Sequence, residues 1–252
     1  MTKLEKYLQS AGININPHLL RLAERKMDQV MRTSSLIPQS LKVRSNLTTH
    51  VISMLERNSK TSSALKDSFN HTLTTAMIAL HDLPEIAFED LDYAAHVGNG
   101  VEERVQKELA EHKFIHENIT PLLPTQYQDL SKHAADEWLE LKTKDSLWVR
   151  LLDLVDGNIY VLENFMNPNN GQIQRLGAGK STIIWDIESA GQHVENMAEK
   201  TAKILFELIS KTQDNSELFK YFNKSMMVVY EQTGWMSLPY IQQLATETGY
   251  GA

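Results

Sequence analysis

The segment from Ser146 to Phe165 constrains the fold more than any other stretch of the chain. Trp148, Leu151, Leu152, Val155, Ile159 and Leu162 recur at three- and four-residue steps along one side, while Val149, Leu154, Tyr160 and Val161 occupy much of the rest. A helix that is apolar on most of its sides must be enclosed by other elements. The flanking sequence supplies helices for that purpose. After Pro17, which suits a first helical turn, Leu19, Leu20, Ala23, Met27 and Val30 keep helical spacing. Leu47, Val51, Met54 and Leu55 predict a helix over 46–57 behind an Asn or Ser cap. Leu73, Ala76, Met77 and Leu80 predict another over 68–81, which Pro84 discourages from continuing. A charged helix is expected over 101–118, closed by the turn from Pro121 to Pro124, and a further one over 134–141. Past a Gly- and Asn-rich loop at 167–180, helical patterns return at 187–209 and 218–230, before an aromatic, loop-like tail with Trp235, Pro239 and Tyr240. The expectation is an all-α fold, with a core over 1–166 and a loop plus helical C-terminal extension, 167–252, packed on it.

Composition excludes several classes. A hydrophobic fraction of 42% and a charged fraction of 23% over 252 residues are those of an ordinary globule able to bury a sizeable core. The net charge of −7 argues against broad binding to nucleic acid, which needs a basic face. With no cysteine there is neither a disulfide framework nor thiolate chemistry. The opening MTKLEKYLQSAGININ lacks the apolar core of a signal peptide, and no apolar run approaches the ~20 residues of a membrane helix, so a cytoplasmic protein with no membrane partner is expected.

Against that background, a few polar residues stand out. Asp153 projects from the apolar helix near Val149 and Tyr160, where a carboxylate is costly unless paired, hydrogen-bonded or bound to metal. Arg150 offers it a salt bridge, and Asp156 competes for any ligand role. His50 lies on the 46–57 helix, and His81 and Asp82 fall at the end of the next. Two imidazoles and two carboxylates suit a divalent transition ion (Co, Mn, Zn, Fe or Ni) and are poor for calcium. Such a set leaves room for water and substrate, unlike the thiolate-rich structural zinc sites. Three other patterns weigh less. Gly177 to Ser181 resemble the end of a phosphate-binding loop, but Gln174 stands where that motif needs glycine. His112 and His116 share a face of a solvated helix, where exposed histidines are commonplace. His71 lies nearly three turns before His81 and is too far away to share its ion.

The stretches VRSNLTTHV around His50, HDLPEIAFED from His81 to Asp90, and WVRLLDLVDGNIYVLENF around Asp153 together resemble the HD-domain superfamily, and within it the bacterial YfbR-type 5'-deoxynucleotidases. The resemblance covers roughly 20–165. It implies a helical HD bundle in which His50, His81, Asp82 and Asp153 bind a divalent metal, with Mg at a second site as a further expectation. It also implies catalytic roles for Glu85, beside the attacking water or departing group, and for Asp90, against the deoxyribose hydroxyl. Relatives of this type carry an Arg-Trp pair upstream of the first histidine, whereas this chain has Met31, Arg32, Thr33, Ser34 and Ser35 there. Arg32, Arg44 and His96 are the remaining candidates for phosphate contact. The implied activity is hydrolysis of a deoxynucleoside 5'-monophosphate. The alternatives are release of triphosphate from a deoxynucleoside triphosphate, or a non-catalytic nucleotide-binding module. A small-molecule deoxynucleotide partner and a homo-oligomer follow from the same resemblance.

Overall fold

The computed structural model describes residues 1–30, 46–61, 68–88, 105–165, 173–176, 182–185, 200–201, 203–205 and 207–212. Among these the fold is all-α except for one small ribbon. Helix α1 (Lys3–Ser10) had not been expected, although Leu4 and Leu8 stand one turn apart and are both buried. A capping box opens it: the Thr2 side chain accepts from the Glu5 N–H, and the Glu5 side chain accepts from the Thr2 N–H. Helix α2 (Pro17–Met27) begins at its proline behind an Asn16 cap. It stops short of Val30, whose carbonyl instead accepts from the Leu47 N–H at 3.2 Å.

Helix α3 (Leu47–Thr61) runs a turn further than its apolar pattern, and the Asn46 side chain accepts from the Thr49 N–H at its start. Helix α4 (His71–Leu80) is capped by Asn70 and followed by a turn through His81–Pro84 into the short α5 (Glu85–Phe88). Residues 105–114 form α6, which continues into a π-turn (Ile115–Ile119) and a 3-10 turn (Thr120–Leu122). Helix α7 (Thr125–Glu140) starts nine residues before the expected 134, because its first turns are polar and carry little apolar signal. Helix α8 (Lys144–Phe165) is the apolar helix of the sequence.

Helix α4 is the centre of the bundle. Seven of its ten residues are buried, and α3, α7 and α8 pack around it. That burial explains why its sequence is apolar on nearly every side. The buried residues of α8 fill the same core: Leu147, Trp148, Val149, Leu151, Leu152 and Val155. Residues 200–211, where described, are helical and add Leu205, Leu208 and Ile209 to it, so this part of the C-terminal extension is packed on the bundle.

The expected loop at 167–180 contains a strand. β1 (Ile173–Leu176) pairs antiparallel with β2 (Thr182–Trp185), Ile173 lying opposite Trp185 and Leu176 opposite Thr182. The segment 177–181 lies outside the described residues. Its flanks are two paired strands, whereas a phosphate-binding loop joins a strand to a helix.

A buried polar knot ties together the helices α3, α4 and α8. Asn58 donates to the hydroxyls of Thr74 and Thr75 at 3.2 and 3.3 Å, and its carbonyl accepts from Trp148 Nε1 at 2.9 Å. Removing one partner of a buried hydrogen bond exposes the cost of desolvating the others. Asn58→Ala is therefore expected to lower stability by about 2–4 kcal/mol, read as a lower midpoint in urea unfolding with an unchanged slope.

Candidate metal centre

Each residue of the centre is placed by a different local device. His50 falls in the first turn of α3, where its N–H donates to the Asn46 carbonyl. His81 closes α4, its N–H bonded to the Met77 carbonyl, because Pro84 prevents another turn. Asp82 follows in that turn, and its carbonyl accepts from the Glu85 N–H at 3.1 Å. Asp153 and Asp156 lie three residues apart on α8, so both carboxylates reach the same side of the helix. Three segments far apart in sequence thus meet at one point.

The two histidines are 1% and 4% exposed, and their rings stand edge to face with centroids 5.5 Å apart. Each presents Nε2 to the centre. His50 Nε2 lies 3.4 Å from Asp82 Oδ2 and 3.4 Å from Asp153 Oδ1, and His81 Nε2 lies 3.2 Å from Asp82 Oδ1. The other ring nitrogens are committed elsewhere: His50 Nδ1 lies 2.7 Å from Asp156 Oδ2, and His81 Nδ1 lies 2.9 Å from the Ile78 carbonyl. An Nδ1–H donating to an acceptor leaves Nε2 with its lone pair facing inward, the tautomer a metal ligand needs. Asp156 therefore holds His50 by its outer nitrogen, and Asp153 faces the centre. Asp156 is fixed in turn by the Ser53 hydroxyl and by Arg57 Nε at 3.7 Å.

Donor chemistry, spacing and an orphaned atom all fit a divalent transition ion. Ligands about 2.1 Å from a common ion stand roughly 3.0–3.4 Å from one another. The cross-distances of 3.2–3.4 Å fall in that range. Among the described residues, buried His81 Nε2 makes no hydrogen bond of good geometry, and its nearest acceptor is the carboxylate oxygen Asp82 Oδ1 at 3.2 Å, another candidate ligand atom. His50, His81 and Asp153 also form a cluster whose ligand atoms all lie within 4.8 Å of one another.

Electrostatics point the same way. Burial opposes ionisation of Asp82, but the His81 and His50 rings outweigh it and hold the carboxyl well below the usual range. Burial likewise opposes ionisation of Asp153, and the His50 contact and the Arg150 guanidinium overcome it. The salt bridge with Arg150 coexists with the inward role, since Arg150 donates to Asp153 Oδ2 at 2.6 Å while Oδ1 faces His50. Without an ion, the pull of the rings comes from protons on their Nε2 atoms, and a bound cation would displace those protons and supply the positive charge facing both carboxylates.

Of the other candidates, Glu85 stands at the start of α5, paired with Lys107 of α6 at 3.5 Å. Asp90, Arg32, Arg44 and His96 lie outside the described residues. His71, at the far end of α4 from His81, takes no part in the cluster, and burial lowers its pKa. Three features had not been read from the sequence. One is the outer role of Asp156. Another is Lys107, mostly buried between Glu85 and Glu111, whose i,i+4 spacing from Glu111 was the available signal. The third is a small cleft beside His81, where Glu108, Glu111, His112 and Arg150 line one space with Trp138 and apolar side chains. There Arg150 lies over the Trp138 ring, 5.5 Å from its centroid, and burial pushes the Glu111 carboxyl up against the pull of Lys107.

A scan against protein-family models and searches of curated proteins and solved structures each return no match. The functional reading accordingly stands on the residues of the site. Among the described residues, no helix is long and apolar enough to cross a membrane.

Proposed function

We propose that this protein is a metal-dependent phosphohydrolase of the HD type, acting on deoxynucleotides, with a deoxynucleoside 5'-monophosphate as the substrate. The observation that supports it most is the convergence of His50 Nε2, His81 Nε2 and the carboxylates of Asp82 and Asp153, with Asp156 on the outer nitrogen of His50. His50, His81, Asp82 and Asp153 would hold the ion. When bound, a divalent ion polarises a phosphoryl oxygen and lowers the pKa of water. The remaining work belongs to the chain. Glu85 accepts the proton of the attacking water, with Lys107 holding its carboxylate in place. Arg150 carries positive charge into the cleft, where negative charge develops on the phosphoryl oxygens. Asp90 accepts a hydrogen bond from the sugar hydroxyl, on the strength of the family resemblance. Water forms the new O–P bond as the bond from phosphorus to the 5' oxygen breaks, and the proton that Glu85 took from water is passed to that oxygen as it leaves.

Metal-free protein resupplied separately with Mn, Co, Zn and Mg, and incubated with each deoxynucleoside mono- and triphosphate, tests the proposal. Orthophosphate from monophosphates, resolved by ion chromatography, is the expected product. Triphosphate from a deoxynucleoside triphosphate would move the protein to the triphosphohydrolase reading, in line with its missing Arg-Trp pair and long C-terminal extension. Binding of nucleotide without any product would leave a regulatory module.

A further inference from the structure

The second concentration of metal-ligating side chains lies outside this centre. His112, near the end of α6, and His116, in the π-turn that follows it, direct their Nε2 atoms at one carboxylate oxygen of α7: Asp136 Oδ1 is 2.7 Å from His112 and 3.0 Å from His116. Their ring centroids are 4.4 Å apart, and the three ligand atoms lie within 4.8 Å of one another. Sequence alone placed the two histidines on a solvated face. In the structure both are about three-quarters covered, while Asp136 is half exposed.

We propose that His112, His116 and Asp136 form a second site for a divalent transition-metal ion, sharing no ligand with the centre at His50, and that the ion staples the π-turn to α7. Two imidazoles and one carboxylate make a three-ligand set with an open position for water, a set suited to Zn²⁺, Ni²⁺ or Co²⁺ rather than Ca²⁺ or Mg²⁺. The spacing nearly suffices already. A tetrahedral ion with bonds of about 2.0–2.1 Å needs its ligands about 3.3 Å apart, so separations of 2.7 and 3.0 Å must open by a few tenths of an ångström. Partly exposed side chains can make that adjustment by small rotations. The π-turn is the second feature of the site: such turns are rare and occur often where a helix is shaped for function. Here the turn starts one residue before His116. His112 also lines the cleft beside His81, so the staple would hold one of that cleft's walls.

The test uses the full chain, stripped with a chelator and titrated with Zn²⁺ alone against a chromophoric competitor. The variants are His112→Gln/His116→Gln, Asp136→Asn and Asp153→Asn, each checked for its helical circular dichroism. The double histidine variant should lose one zinc equivalent relative to the wild type, Asp136→Asn should bind that equivalent more weakly, and Asp153→Asn should retain it. In Asp153→Asn, zinc at a hundred times the dissociation constant should raise the thermal midpoint by about 5–10 °C. Equal zinc stoichiometry in the wild type and the double histidine variant would overturn the proposal and leave a hydrogen-bonded cluster with no ion. A single equivalent that disappears only in Asp153→Asn would also overturn it. A single equivalent that disappears only in the double histidine variant would support it, and would count against the centre at His50.

Discussion

Asp153→Asn is expected to reduce hydrolysis by well over about 100-fold and to strip the centre of its ion, with the helical signal kept. The reason is the division of labour within one carboxylate: Oδ2 is held by Arg150 at 2.6 Å and Oδ1 faces His50 Nε2 at 3.4 Å. An amide in its place carries no charge and can present a hydrogen-bond donor where an acceptor is needed. Asp156→Asn makes the informative contrast. Its carboxylate meets the outer nitrogen of His50, so the change weakens the orientation and basicity of a ligand without removing one. Losses of about 10–100-fold in metal affinity or activity are typical of such partners. Metal content by elemental analysis, measured beside turnover, reads both. An active Asp153→Asn together with a dead Asp156→Asn would exchange the two roles.

The second large effect is on stability. Trp148→Ala should cost about 3–5 kcal/mol, because a 1% exposed indole leaves behind a cavity at the crossing of α3, α4 and α8. The ring is stacked on Phe69 at a centroid distance of 4.9 Å, and its N–H donates to Asn58. Against a typical total of about 5–15 kcal/mol, a loss of that size threatens folding at working temperature. Trp148→Phe keeps much of the packing and drops the N–H, and should cost about 1–3 kcal/mol. Chemical unfolding of both variants, combined with Asn58→Ala in a double-mutant cycle, separates cavity from hydrogen bond. Trp148→Ala falling within about 0.5 kcal/mol of the wild type, the range of a surface change, would show that the bundle does not close around this ring.

Legibility in the sequence followed the strength of the local signal. Helices α3, α4 and α8 were readable because each has a long buried face, and two begin at an asparagine whose side chain accepts from the first turn. The beginning of α7 carries only Tyr127 and Leu130 among polar residues, a thin apolar signal, and α1 went unread although Leu4 and Leu8 stand one turn apart behind the Thr2–Glu5 capping box. Strand β1 was read as part of a loop and β2 was left unassigned, because four-residue strands are too short to establish a period. His50, His81, Asp82 and Asp153 were nominated together on the resemblance that the stretches around them carry. Asp153 and Asp156 were harder to tell apart: on one helix, three residues apart, they have nearly the same periodic position.

The sequence by itself determined the all-α class, the identity of the enclosed helix α8 and the end of α4 before Pro84, since these depend on periodicity and backbone sterics within a few residues. Only the tertiary structure decided which nitrogen of His50 each aspartate meets, that Arg150 and the centre share Asp153, and that His112 and His116 converge on Asp136. Those facts are distances between side chains separated by 20 to 106 residues, or oxygen-by-oxygen choices within one carboxylate. Helical spacing sets the direction of a side chain from its own axis, and only the packing of α3, α4, α7 and α8 sets what it points at.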